Sequence, residues 1–214
     1  MAEARKAGEN VPAAYFEAMY RDGDDPWSLA SRWYERRKYG LTAAALPRAR
    51  YRRAFEPGCS AGVLTALLAE RCDELLSWDR EARAVAAARA RVAGEPGARV
   101  ERGMIPDAWP EGSFDLIVLS EILYYFDEQS VERVLSRAVE SLEAGGTLVA
   151  VHWRHPVPDH ARSAEAVHAA VRATPGLARL AEHVEADFLL EVFVRADPGG
   201  GAPAVSVAAA EGLL

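Results

Sequence analysis

Apolar and polar positions alternate along this chain between two periods, one helical and one extended. Residues 12–20 (PAAYFEAMY) carry apolar side chains at helical spacing, and the run DGDDP at 22–26 breaks the pattern. Residues 31–45 read as a second helix, stopped by Pro47. A first strand is expected over 52–56, a loop of small residues over 58–62, and a helix over 63–71 with Val63, Leu64, Leu67 and Leu68 on one face. A second strand over 74–78 ends at Asp79. An Ala-rich helix over 81–92 is closed by Gly94, and 99–101 reads as a short third strand. The clearest buried strand is FDLIVLS at 114–120. Asp127 can cap the next helix, in which Val131, Val134, Leu135, Ala138, Val139 and Leu142 keep a 3.6-residue period; Gly145 and Gly146 are expected to end it. TLVAVHW at 147–153 reads as a fifth strand, followed by a proline-rich loop at 154–159 and a helix over 163–172. Two late strand-like runs, 179–184 and 189–194, have no helix between them and predict an antiparallel hairpin at the sheet edge.

Strands alternating with helices imply an α/β fold: a doubly wound, Rossmann-like, seven-stranded and mostly parallel sheet with that edge hairpin. The expected division is an N-terminal helical cap at 1–48, a ligand-binding domain at 49–197, and a flexible Gly/Ala/Pro-rich tail at 198–214. Ligands of such sheets sit beyond the carboxyl ends of the strands, beside the first strand. That directs attention to residues 58–62, Asp79, Met104, residues 120–125 and residues 152–155.

Composition narrows the classes. The chain has 214 residues, 50% of them hydrophobic, enough for one α/β domain. A net charge of −7 argues against nucleic acid as a partner. No apolar run approaches the roughly 18 residues of a membrane span, and residues 1–10 lack a signal-peptide core. Cys59 and Cys72 make neither a disulfide framework nor a zinc quartet. A reduced, cytoplasmic protein without a metal is the expectation, as a monomer or homodimer.

The loop at 55–62 joins the first strand to its helix, where small residues let the backbone approach a ligand. Asp79 lies at the second strand's end, 21 residues after Gly58, where a carboxylate can accept both hydroxyls of a ribose. A dinucleotide fingerprint needs glycines at 58, 60 and 63; here Gly58, Ser60 and Val63 stand. The pattern E-x-G-x-(G/S)-x-G fits instead, through Glu56, Gly58, Ser60 and Gly62. It resembles the loop of the class I S-adenosylmethionine (SAM) methyltransferases, which often has Gly where Ser60 stands. The resemblance runs over about residues 25–196 and includes FDLIVLSEILYYF and LEAGGTLVAV. More narrowly, DPW at 25–27, YERRK at 34–38 and SEILYYF at 120–126 are similar to the nodulation N-methyltransferase family.

This resemblance implies SAM as cofactor and S-adenosylhomocysteine as product. It implies that Gly58 and Gly62 pass the methionine part, in a loop with Glu56 and Ser60, and that Asp79 holds the ribose beside Arg80. Met104 and Ile105 would flank the adenine, and Ser120 and Glu121 would border the site. Lys38, or its neighbour Arg37, would meet the methionine carboxylate, and Trp27 and Tyr34 would form a lid.

Methyl transfer needs a positioned nucleophile and, for some acceptors, a base. Glu121 and Tyr124 after the fourth strand are candidates to orient an acceptor. His155 and His152 after the fifth are candidates for a base, imidazole being suited to neutral pH. The narrow resemblance implies a small amine acceptor, such as an amino sugar; an oxygen acceptor is the alternative. Three other readings stand beside these: a SAM- or nucleotide-binding module without turnover, a metal site at His152, His155 and His160, and a serine hydrolase built on Ser60, Asp127 and His152, since residues 58–62 also spell G-x-S-x-G.

Overall fold

The computed structural model describes residues 8–196 and 206–213. Two helices come first, α1 (Ala13–Met19) and α2 (Trp33–Ala44). Then follow β1 (Tyr51–Pro57), α3 (Val63–Ala69), β2 (Cys72–Asp79), α4 (Ala82–Arg91), β3 (Ala98–Arg102) and β4 (Phe114–Ser120). A single 3-10 turn, Leu123–Tyr125, precedes α5 (Glu128–Ser141) and β5 (Leu142–Trp153). The chain continues with α6 (Ala164–Ala173), β6 (Leu177–Val184), β7 (Phe188–Arg195) and a short α7 (Val207–Ala210). The proposed tail includes α7; residues 198–205 and 214 lie outside the described residues.

The seven strands form one sheet in the order β3-β2-β1-β4-β5-β7-β6. β7 pairs antiparallel with both β5 and β6, and the other pairings are parallel. This is the Rossmann-like sheet and edge hairpin that the pattern predicts. The order reverses at β1, so a crevice opens there beyond the strand ends.

β4 shows why the run FDLIVLS is continuous. Ile117 and Leu119 pack on one face with Phe55, Leu148 and the α5 residues Val131 and Val134, whereas Leu116 and Val118 pack on the other with Leu64, Leu68 and Tyr39. Both faces are covered by helices, so both sets of alternating side chains must be apolar. Asp115 interrupts the run at no cost in unpaired charge, because its two oxygens accept the Arg52 and Arg53 amides, each at 2.9 Å.

Asp127 caps α5 as expected, accepting the Ser130 amide at 2.7 Å. Gly145 and Gly146 do not end that helix. α5 stops at Ser141 and Leu142 already pairs with Phe114, so the glycines fall inside β5, where the next partners are Leu116 and Thr147. Five steps along β5 thus match two along β4, and Gly145, at φ +71°, supplies the left-handed residue that this bulge requires.

Residues before β1 are tied over the crevice rather than into the sheet. α1 buries none of its own residues. The segment is held at its ends. Asn10 accepts the Asp127 amide at 2.6 Å and donates to Ser130 Oγ at 3.0 Å, and Tyr20 bonds Ser60 at 2.6 Å. α2 is seated more deeply, through buried Tyr39 and Thr42.

Candidate active site

A cavity of about 350 Å³ opens beyond the carboxyl ends of β1, β2 and β4. That lies within the range of about 300–1,000 Å³ typical of small-molecule sites. One pole is built on the β1–α3 loop. Gly58 sits at φ +77°, its amide donating to the Trp78 carbonyl at 2.7 Å, and a Cβ on it would lie 2.7 Å from Ile122 Cδ1. Ser60 takes the left-handed conformation without being glycine, at φ +48°. It is over-determined: its amide donates to Asp79 Oδ2 at 2.9 Å and its hydroxyl pairs with that of Tyr20.

Asp79 lines the cavity at 8% exposure. Its second oxygen accepts the Glu81 amide at 2.9 Å. Burial raises its pKa, against the two amide bonds that favour the carboxylate. Each oxygen has spent one lone pair on the backbone and keeps another for a ligand hydroxyl. Behind it, Glu56 is buried and accepts both Thr65 Oγ1 at 2.7 Å and Ser77 Oγ at 2.8 Å. Burial raises its pKa to about 7. Met104 and Ile105 border this pole, and Arg80 lies over the Phe16 ring at 5.1 Å.

Gly62 lies elsewhere. It is the N-cap of α3 at φ +74°, and a Cβ on it would stand 2.7 Å from Ala88 Cα. It is not among the cavity's lining residues. This glycine lets α3 approach α4, which corrects the expectation that it passes beneath a ligand.

The other pole gathers on α2 and the turn after β4. Lys38 Nζ sits 2.9 Å from Glu35 Oε2 and 2.6 Å from Glu121 Oε1. Burial alone would lower its pKa; the two carboxylates outweigh this and raise it. Two of its three N–H groups are thereby committed and one remains. Glu121, at φ +54°, also accepts the Tyr124 hydroxyl at 2.5 Å and the Trp153 amide at 2.9 Å. The buried Tyr34 hydroxyl has no hydrogen-bond partner among the described residues. Trp27 lines the cavity and meets Tyr20 edge to face at 5.6 Å; Ser120 lines it as well. Arg37, the alternative to Lys38, is turned away and grips Glu185 at 2.7 and 2.8 Å.

The histidines are distributed differently from expectation. His152 is fully buried and both ring nitrogens are engaged, with the Leu123 amide and with His168. Burial, reinforced by His168 and Lys38, holds its pKa well below the usual imidazole value. It is no base for a ligand in the cavity. His155 is half-exposed, bonds Asp187 at 2.7 Å, and does not line the cavity. The imidazole on the wall is His160, stacked on Tyr124 at 3.8 Å and edge-on to Tyr125. Strand alternation could turn His152 and Trp153 to opposite faces, yet it carries no information on where the loop after them leads.

The hydrolase reading loses its geometry. Ser60 bonds Tyr20, Asp127 caps α5 and His152 bonds Leu123, so no hydrolase triad assembles. Among the described residues, no three His, Cys, Asp or Glu side chains could together hold a metal, and no helix is long and apolar enough to cross a membrane. Sequence reasoning missed Tyr15, Phe16, Tyr20 and Arg32, which also line the cavity. The apolar stripe of residues 12–20 was a visible signal, read as a helix without a destination.

The family model of nodulation protein S (NodS) matches residues 17–176. The chain belongs to the NodS family. Every cavity residue from Tyr20 to His160 falls inside the matched stretch. Nodulation protein S of Rhizobium tropici is 30% identical over 128 residues, 59% of this chain, and the match spans only 54% of that relative's length. The NodS N-methyltransferase of Bradyrhizobium japonicum WM9, solved in complex with S-adenosylhomocysteine, superposes with a TM-score of 0.75 at 26% identity, covering 85% of this chain and 98% of that one. A candidate methyltransferase from Pseudomonas syringae is 49% identical with a TM-score of 0.69, over 77% of this chain and all of that one.

Proposed function

We propose that this protein is a SAM-dependent methyltransferase whose acceptor is the amine of a small molecule, of the amino-sugar class. One observation carries the reading: Asp79, Gly58 and the Lys38–Glu121 pair of this NodS-family chain border one cavity at the switch point of the sheet. The residues fit the cofactor. Asp79 keeps lone pairs for ribose hydroxyls, Gly58 presents no side chain, Lys38 keeps one N–H for a carboxylate, and the unpartnered Tyr34 hydroxyl awaits a polar group. Met104 and Ile105 would flank the adenine.

SAM supplies an electrophilic methyl group on a positively charged sulfur. Carboxylates at Glu35, Glu121 and Asp79 and the aromatic faces of Tyr20, Trp27 and Tyr124 suit a cation in that space. The protein's remaining work is to place a neutral amine in line and exclude water. Glu121, fixed by Lys38, Tyr124 and the Trp153 amide, is placed to accept an acceptor N–H. An amine that arrives as its ammonium must give up one proton before its lone pair can take a methyl group. His160, on the cavity wall, is the imidazole placed to receive it.

The test is methyl transfer from tritium-labelled SAM to glucosamine and to N-acetylglucosamine, with S-adenosylhomocysteine affinity measured alongside. Label on glucosamine alone supports an amine acceptor. Equal labelling of N-acetylglucosamine would indicate oxygen as the acceptor atom, and no affinity for S-adenosylhomocysteine would overturn the reading.

A further inference from the structure

A chain of buried polar groups runs behind the cavity. His152 Nε2 accepts the Leu123 amide at 3.2 Å, and His152 Nδ1 lies 3.1 Å from His168 Nε2 on α6. His168 Nδ1 lies 2.6 Å from Glu191 Oε2 on β7. Glu191 also receives Arg172 at 3.0 Å and Arg179 at 2.9 Å. Both imidazoles are fully buried and Glu191 is 2% exposed.

These contacts dictate where each proton sits. An amide can only donate, so His152 Nε2 is bare and its proton is on Nδ1. His168 Nε2 must then accept, which leaves the His168 proton on Nδ1, donated to Glu191. Two arginines hold Glu191 as a carboxylate, so the tautomers are set from the protein surface inward.

The far end of the chain matters because of what Leu123 belongs to. Its amide stands at the start of the 3-10 turn, where the turn itself offers no acceptor and His152 supplies one, two residues after Glu121 and one before Tyr124. Glu121 is held in a left-handed conformation that a free chain would leave. We propose that His152 is a positioning residue for methyl transfer: by accepting the Leu123 amide it fixes the turn that presents Glu121 and Tyr124 to the acceptor. This rests on the methyltransferase reading above.

His152→Phe fills the space but accepts nothing, whereas His152→Gln offers a carbonyl oxygen near Nε2. His168→Leu removes the acceptor of the His152 proton and lets it move to Nε2, where it would oppose the Leu123 amide; His168→Gln can still accept and donate. With glucosamine as acceptor, His152→Phe and His168→Leu are expected to lower kcat about 10- to 100-fold, the scale of a small misplacement of reacting groups. S-adenosylhomocysteine affinity should stay within about twofold, and the Gln variants should recover most of the loss. Nitrogen-15 spectra of the unmodified protein should show both histidines neutral with the proton on Nδ1, and the Leu123 amide should shift in the Phe and Leu variants. Should His152→Phe not fold, His168→Leu carries the same comparison from outside the turn. Wild-type kcat in the altered proteins, a parallel loss of S-adenosylhomocysteine affinity, or a proton on His152 Nε2 would each overturn the proposal. A protein that binds S-adenosylhomocysteine but methylates no amine overturns the functional reading instead, and the spectra still decide whether His152 fixes the turn.

Discussion

Two glycines four residues apart, both at positive φ, should respond in opposite ways to a single added methyl group. Alanine at either position takes on a left-handed backbone, a cost of about 1–2 kcal/mol. At Gly58 the new Cβ meets the end of the Ile122 side chain, which can rotate aside. At Gly62 it meets Ala88 Cα at 2.7 Å and Ala88 Cβ at 2.8 Å, so helix must move from helix. Overpacking of that kind adds about 1–3 kcal/mol. Gly62→Ala should therefore lose about 2–5 kcal/mol, a fall in Tm of roughly 4–20 °C for a domain of this size. Gly58→Ala should lose only the first part of that, yet it alone narrows the cavity. Thermal unfolding and calorimetric titration with S-adenosylhomocysteine separate the two. Gly62→Ala should melt early and, while folded, bind normally; Gly58→Ala should melt near the parent and bind weakly. Stability loss at Gly58 exceeding that at Gly62, or affinity loss at Gly62 exceeding that at Gly58, would refute the assignment of the second glycine to helix packing.

Asp79→Ala strands the Ser60 and Glu81 amides and removes the ribose acceptor; calorimetry should show S-adenosylhomocysteine binding weakened by about 1.5–3 kcal/mol. Tyr20→Phe removes the hydroxyl that steadies Ser60, and affinity should fall by about 1 kcal/mol, roughly fivefold, with the fold intact by circular dichroism. Glu56 has a folded-state pKa near 7, above its ordinary value of 4.5, so the folded state binds the extra proton between these values. Its contribution to stability is complete below about pH 4.5 and is lost as pH rises through 7. Glu56→Gln keeps an oxygen for Thr65 and Ser77. Its urea midpoint should gain steadily on the parent's from pH 5 to 8, and parallel curves would show that Glu56 does not titrate there.

Local pattern carried much of this architecture because the relevant forces are local or two-sided. The run at 114–120 is apolar because helices cover both faces of β4, and Asp127 caps α5 with an amide three residues away. The loop from Glu56 to Ser60 was visible for a similar reason, since a close approach to a ligand demands small residues in consecutive positions. What pattern could not carry was direction. Nothing within residues 152–160 tells which of three histidines turns inward, because that depends on Leu123, Asp187 and Tyr124. Gly62 was misread because a glycine that spares room for Ala88 looks, in one dimension, the same as one that spares room for a ligand. Gly145 was misread because β5 begins where the helical period still fits Leu142.

The roof of the cavity is made of residues that are synthesised before the sheet, and its supports come much later. Tyr20 waits for Ser60, Lys38 for Glu121, Asn10 for Asp127, and Arg37 for Glu185. At about 5–20 residues per second, Glu185 leaves the ribosome roughly 7–30 s after Arg37, which lies 148 residues before it. Until then Tyr15, Phe16 and Trp27 have no crevice to cover. Such long loop closures slow folding and expose the nascent chain to association. A truncation that ends within β6 would remove Glu185 and with it the ion pair that ties Arg37 of α2 to the far edge of the sheet.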